Sequence, residues 1–135
     1  MSRFSRQQSR QMKTVTVQRK KKFASAWMPY WLITGIAKND FKARFGLRED
    51  LCTHDVMGQP VSRIDIGTLD ALGTRIENGK TVELHLEDDV CTIFASTMDG
   101  SLSNEVILED TGTQHLRLTT RGGFKTVSYP YFEQE

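Results

Sequence analysis

Cys52-x-His54-Asp55 is the densest group of potential metal ligands in this chain, and Cys91, His85 and His115 stand elsewhere. A structural zinc centre needs short-spaced ligand pairs twice over, as in C-x₂-C. Only one cluster exists here and no second pair, so ordinary loop polarity accounts for it. No metal and no other cofactor is expected. Glu83 and His85 fall on one face of a strand with Leu84 on the other, which is the pattern of a solvated surface rather than an acid/base dyad. Glu87-Asp88-Asp89 reads as a turn run. The sequence has no G-x-S-x-G nucleophile elbow and no cysteine in a recognisable catalytic context. Arg121-Gly122-Gly123-Phe124 lies between two strands instead of opening a helix, so it reads as a tight turn and not as a phosphate loop. No catalytic residue is assigned, and a non-enzymatic protein is expected.

Charge is the stronger signal. Up to Lys22 the chain carries Arg3, Arg6, Arg10, Lys13, Arg19, Lys20, Lys21 and Lys22 and no carboxylate. Of 18 Lys and Arg in all, ten remain for the rest of the chain, against 17 Asp and Glu. A net charge of +1 thus hides a basic leading segment and an acidic body. Concentrated positive charge builds a local potential to which polyanions respond.

Aromatic residues accompany that charge. Arg19-Lys20-Lys21-Lys22 runs into Phe23, with Trp27, Tyr30 and Trp31 close behind, and Arg121, Phe124, Lys125, Tyr129, Tyr131 and Phe132 close the chain. Single-stranded nucleic acid asks for this mixture, because cations follow phosphates and flat rings stack on bases. The candidate RNA-binding residues are therefore Lys13, Arg19, Lys20, Lys21, Lys22, Arg121, Lys125, Tyr129 and Tyr131. Trp27 and Trp31 share a strand face and are assigned to the core. Anionic lipid or an acidic protein would also suit a basic arm. The competing function is a protein-interaction module that works through its acidic face or an exposed strand edge.

Length bounds the architecture: 135 residues fit one domain with a core of its own. No stretch reaches the roughly 18–20 apolar residues of a membrane span. A positive start without an apolar segment behind it does not make a secretory signal, and Cys52 and Cys91 lie far apart. Reduced thiols and a cytoplasmic location are expected. Residues 1–12, a loose Ser-Arg-x repeat, form a disordered basic arm in this reading, and residues 13–135 a single β-rich domain.

The elements that must position these residues follow from periodicity. Val15 and Val17 alternate with polar neighbours in a half-buried strand, while residues 27–34 are apolar on both faces and predict a strand covered on both sides. The best helix spans Lys38 to Phe45, with Asn39 or Asp40 at its start, Phe41 and Phe45 on one face and Gly46 as its stop. Residues 47–65 show no period, and residues 68–72 suggest a single helical turn. Asn78-Gly79 then predicts a hairpin between residues 75–77 and 81–86. Further strands are predicted at 91–97, 104–109, 114–120 and 124–129, each behind a turn signal. The outcome is a mainly β protein of some seven strands, a small antiparallel barrel or sandwich with one short helix after the second strand. Val82, Leu84, Leu86, Ile93, Val106, Leu108, Leu116 and Leu118 are its predicted core, and a meander would set the first and last strands side by side.

Arg19-Lys20-Lys21-Lys22-Phe23, Pro29-Tyr30-Trp31-Leu32-Ile33, Asn78-Gly79-Lys80-Thr81-Val82 and the closing Gly-Gly-Phe-Lys resemble PrgU-like proteins, small regulators from conjugative elements of Gram-positive bacteria. The resemblance runs from about Lys13 to the end of the chain. It implies a PUA-like β-fold and an RNA-linked role in damping surface-adhesin production. The order strand, Asn-Gly turn, strand also resembles PEGA-like β-sandwich modules, from which residues 47–65 depart. Neither resemblance assigns site residues.

Overall fold

Alternation in the first strand already sorts the molecule into an inside and an outside. The computed structural model describes residues 12–22, 28–51, 57, 63–122 and 127–133. In β1 (Met12–Arg19), Lys13, Val15, Val17 and Arg19 are buried while the residues between them face outward. The following elements are β2 (Tyr30–Ile33), α1 (Lys38–Phe45), α2 (Ile66–Leu72), β3 (Gly73–Ile76), β4 (Thr81–Glu87), β5 (Thr92–Ser96), β6 (Val106–Ile107), β7 (Thr113–Arg121) and β8 (Tyr129–Phe132).

The strands form two four-stranded sheets, ordered β4-β1-β7-β8 and β3-β2-β5-β6, in a sandwich-like arrangement without barrel closure. All eight predicted core residues lie between them: Leu84, Ile93, Leu108 and Leu118 are buried, and Val82, Leu86, Val106 and Leu116 pack against them. β2 is buried on both faces, as its sequence predicts. Tyr30 and Leu32 enter the inter-sheet core, whereas Trp31 and Ile33 join Phe41 of α1, Leu69 of α2 and Phe94 in a second core behind it. The Trp31 indole N–H donates to Asp70 Oδ1 of α2 at 2.8 Å, so its polar edge is satisfied there. Trp31 is therefore core, as expected; Trp27 lies outside the described residues. Among the described residues, α1 and α2 pack behind the second sheet, and no helix covers the outer face of the first.

α1 has the predicted bounds. Its N-cap is Ala37, with no side-chain cap bond, while Asp40 sits in the first turn and Gly46 closes the helix at φ +67°. The suggested turn at 68–72 is a second helix, α2, which begins earlier because the Asp65 carboxylate accepts from Thr68 N at 3.2 Å. Pro29 precedes β2 and so disturbs no ladder.

Five expectations about connectivity and element bounds are corrected. Asn78-Gly79 does turn the chain, with Lys80 N donating to Glu77 O, but no hairpin results. β3 pairs with β2 and β4 with β1, so the turn is a corner between sheets. The sheet is not a simple meander either, since β1 and β7 pair in parallel. β7 stands between β1 and β8, which separates the first strand from the last. Finally, the closing strand begins at Tyr129 rather than ending there, and Met12 belongs to β1 rather than to an arm. Residues 1–11 are outside the described set.

Candidate nucleic-acid interface

Two of the candidate phosphate ligands are structural. Lys13 is only 3% exposed, and its Nζ donates to Glu109 O at 2.8 Å and Asp88 O at 3.4 Å. Arg19 is 1% exposed; its Nη1 donates to Ile76 O at 3.0 Å, and its guanidinium lies 3.8 Å from the centre of the Tyr30 ring. Burial lowers the Arg19 pKa, opposed by the charges of Tyr30 and Glu77. An arginine remains cationic under such a shift, but this one is committed to the seam between the sheets. Both residues sit on the inward parity of β1, where a phosphate cannot reach them. They are removed from the candidate surface.

Lys20, Lys21 and Lys22 are exposed and continue the line of β1. Lys20 N donates to Leu118 O, extending the β1–β7 ladder by one residue, and Lys22 N donates to Asn78 Oδ1 at 3.0 Å. These bonds fix the backbone of the basic segment against the Asn78-Gly79 corner. The Lys20 ammonium pairs with Glu133 at 3.6 Å, both side chains being partly exposed. An exposed pair of this kind contributes about 0–1 kcal/mol, so Lys20 exchanges partners readily.

Parity and register assemble the rest. Arg117 and Arg121 point outward from β7, and Thr119 opposite Tyr131 and Arg121 opposite Tyr129 place both tyrosines on the same open face. The Arg121 guanidinium lies 3.5 Å from the centre of the Tyr131 ring. Arg117 pairs in register with Gln18 of β1. Lys125 falls outside the described residues. Arg117 escaped the sequence reading because its place on the face follows from the parallel register of β1 and β7, which no local pattern encodes.

At the opposite end of the same face stand Glu83, His85 and Glu87 of β4, beside Thr16, Thr14 and Met12. His85 Nε2 contacts Glu83 Oε1 at 3.0 Å, with both side chains largely exposed, as expected of a solvated strand face. The open face thus grades from acidic to basic. Among the described residues no group of three or more His, Cys, Asp or Glu is placed to hold a metal, and Cys52, His54 and Asp55 are outside that set. No helix among the described residues is long and apolar enough to cross a membrane.

No protein-family model, curated protein or solved structure matches this chain.

Proposed function

We propose that the open face of the β4-β1-β7-β8 sheet binds single-stranded RNA at its basic end and that the protein acts as a regulator through that binding. One observation carries the reading: strand register gathers Lys20, Arg117, Arg121, Tyr129 and Tyr131 on one solvated face, with Lys21 and Lys22 continuing beyond it. Cations there neutralise phosphates, and Tyr129, Tyr131 and the ring-held Arg121 guanidinium offer surfaces on which unpaired bases stack. The regulatory role rests on the resemblance to PrgU-like proteins.

The test is fluorescence anisotropy with a labelled single-stranded RNA across a salt series. Five cations give an expected slope of log affinity on log salt of about −3.5. Changing Lys20, Lys21 and Lys22 together to Ala should flatten it by about 2. Tyr129→Ala should weaken binding by about 1–3 kcal/mol with the slope unchanged. Affinity that ignores salt, or that survives the triple substitution with its slope intact, overturns the proposal.

A further inference from the structure

Arginine is stacked on tyrosine twice in this molecule, once inside and once outside. Inside, the Arg19 guanidinium lies 3.8 Å from the centre of the Tyr30 ring, and its Nη1 donates to the Ile76 carbonyl oxygen at 3.0 Å. A ring beneath a guanidinium leaves the N–H groups pointing outward from its rim, and there one of them binds a carbonyl. Outside, the Arg121 guanidinium lies 3.5 Å from the centre of the Tyr131 ring. With C–N bonds of about 1.3 Å, a guanidinium standing on edge at that height would bring a nitrogen to roughly 2.8 Å from the ring plane, inside contact distance. It therefore lies flat on Tyr131, with its donors in a plane parallel to the ring. Arg121 is exposed.

β8 sets a second ring beside this stack. Its burial alternates: Pro130 and Phe132 face inward, while Tyr129 and Tyr131 are half-buried on the other side. Two residues along a strand separate the tyrosines by about 6.6 Å. Pro130 stands between them, and its fixed φ stiffens that interval. Arg121 is directly opposite Tyr129 and reaches Tyr131 on the diagonal, so its guanidinium arrives over one tyrosine from beside the other.

We infer that Arg121 is the specificity-determining residue of the RNA surface and that it selects guanine, held on Tyr129 with O6 and N7 toward the guanidinium. This selection presupposes the RNA-binding reading above and names the base bound there. A base stacked on Tyr129 lies level with a guanidinium stacked on Tyr131. A hydrogen bond of about 2.9 Å, added to half a guanidinium and half a purine, spans an interval similar to that between the two rings. Two donors in one plane match two adjacent acceptors. Guanine presents O6 and N7 together, whereas adenine sets an amino donor beside N7 and uracil places N3–H between its carbonyls. Unpaired cytosine offers O2 and N3, but its single ring covers less of Tyr129 than a purine does. Arg19 on Ile76 O is the same arrangement satisfied by a carbonyl of the chain itself.

The test is fluorescence anisotropy with labelled uridine heptamers carrying one guanosine, adenosine or cytidine at the centre. The guanosine oligomer should bind about 5–150-fold more tightly than the other two and than the all-uridine heptamer. Replacing its guanosine by 7-deazaguanosine removes one acceptor without touching the protein and should bring affinity close to that of the adenosine oligomer. Arg121→Lys keeps the charge, and Tyr131→Leu keeps the arginine but removes the ring beneath it. Each should level guanosine with adenosine while the salt slope stays at about −3.5. Guanosine bound no better than adenosine at that slope overturns the guanine assignment and leaves the RNA-binding reading standing. A preference for cytidine, or one for guanosine that survives Arg121→Lys, overturns the assignment too. Affinity that ignores salt, or no binding of any heptamer, removes both.

Discussion

Residue identity and residue role part company most clearly at Arg19. In the sequence it heads a basic tetrad, yet in the fold it is a core residue that happens to be charged. Removing it takes away the contact with the Tyr30 ring and the bond to Ile76 O, and leaves a cavity at the seam. Arg19→Ala should therefore cost about 2–4 kcal/mol in urea unfolding. At a temperature where the variant is still folded, its RNA salt slope should match that of the unsubstituted protein. Asn104 is a second such residue. Its amide copies a strand partner, donating to Phe132 O at 3.0 Å and accepting from Phe132 N at 2.8 Å. Asn104→Asp keeps the shape but replaces the donor with a carboxylate oxygen facing a carbonyl, and a loss of about 2–3 kcal/mol is expected. Asp50 carries a pH signature. Partial burial pushes its pKa up, but hydrogen bonds and charge from Lys38 and Lys42, each at 2.8 Å, outweigh that and bring it below 3.8. A carboxylate with a depressed folded-state pKa contributes stability that is complete above its unfolded value and disappears as pH falls through the folded one. Asp50→Asn should thus lower the urea midpoint at pH 7, and the difference from the parent should vanish below the ordinary aspartate range. Because Asp50 is about half exposed, that difference should be small and should shrink in high salt.

Elements were legible wherever a local pattern sufficed. The i,i+4 spacing of Phe41 and Phe45 and the stop at Gly46 marked α1, and the two-sided apolarity of 27–34 marked β2 as covered on both faces. What a local pattern cannot encode is the partner. Asn78-Gly79 signals a tight turn, and a turn is present, but whether the flanking strands pair or diverge depends on competing edges far away. β4 finds β1, and β3 finds β2, because each pairing buries more apolar surface than a free-standing hairpin would. The same dependence hid Arg117, whereas the inward parity of Lys13 and Arg19 follows from the alternation that buries Val15 and Val17, and only their charge spoke against it. Glycine positions test this account. Gly46 sits at φ +67° with nothing near its Cβ position, so Gly46→Ala should cost about 1 kcal/mol from backbone strain alone. Gly73 has an ordinary extended φ, but a Cβ there would lie 2.6 Å from Leu32 O and from Ile33 Cδ1. Gly73→Ala must push β3 off β2, and a larger loss than at position 46 is expected in the same denaturation assay.

At the scale of the molecule, charge and architecture are coupled through a single strand. The basic segment is no detachable tether: it continues directly from β1, a central strand with β4 on one side and β7 on the other. Val15 and Val17 are fully buried, each worth about 1.5–3 kcal/mol on transfer from water, against a total stability of about 5–15 kcal/mol for a domain of this kind. Deleting residues 1–22 would strip those contacts and both ladders of β1, leaving β4 and β7 with unpaired edges in the middle of a sheet. That chain should show no cooperative unfolding transition and no dispersed amide spectrum. Changing Lys20, Lys21 and Lys22 to Ala removes the exposed charge that follows β1 while keeping the strand and Arg3, Arg6 and Arg10, so its unfolding midpoint should stay close to that of the parent. Loss of RNA binding on truncation would then say nothing about electrostatics, whereas loss in the folded triple variant would isolate it. A truncated chain that still folds and binds would show instead that β1 is dispensable, and the basic surface would have to be rebuilt from β7 and β8 alone.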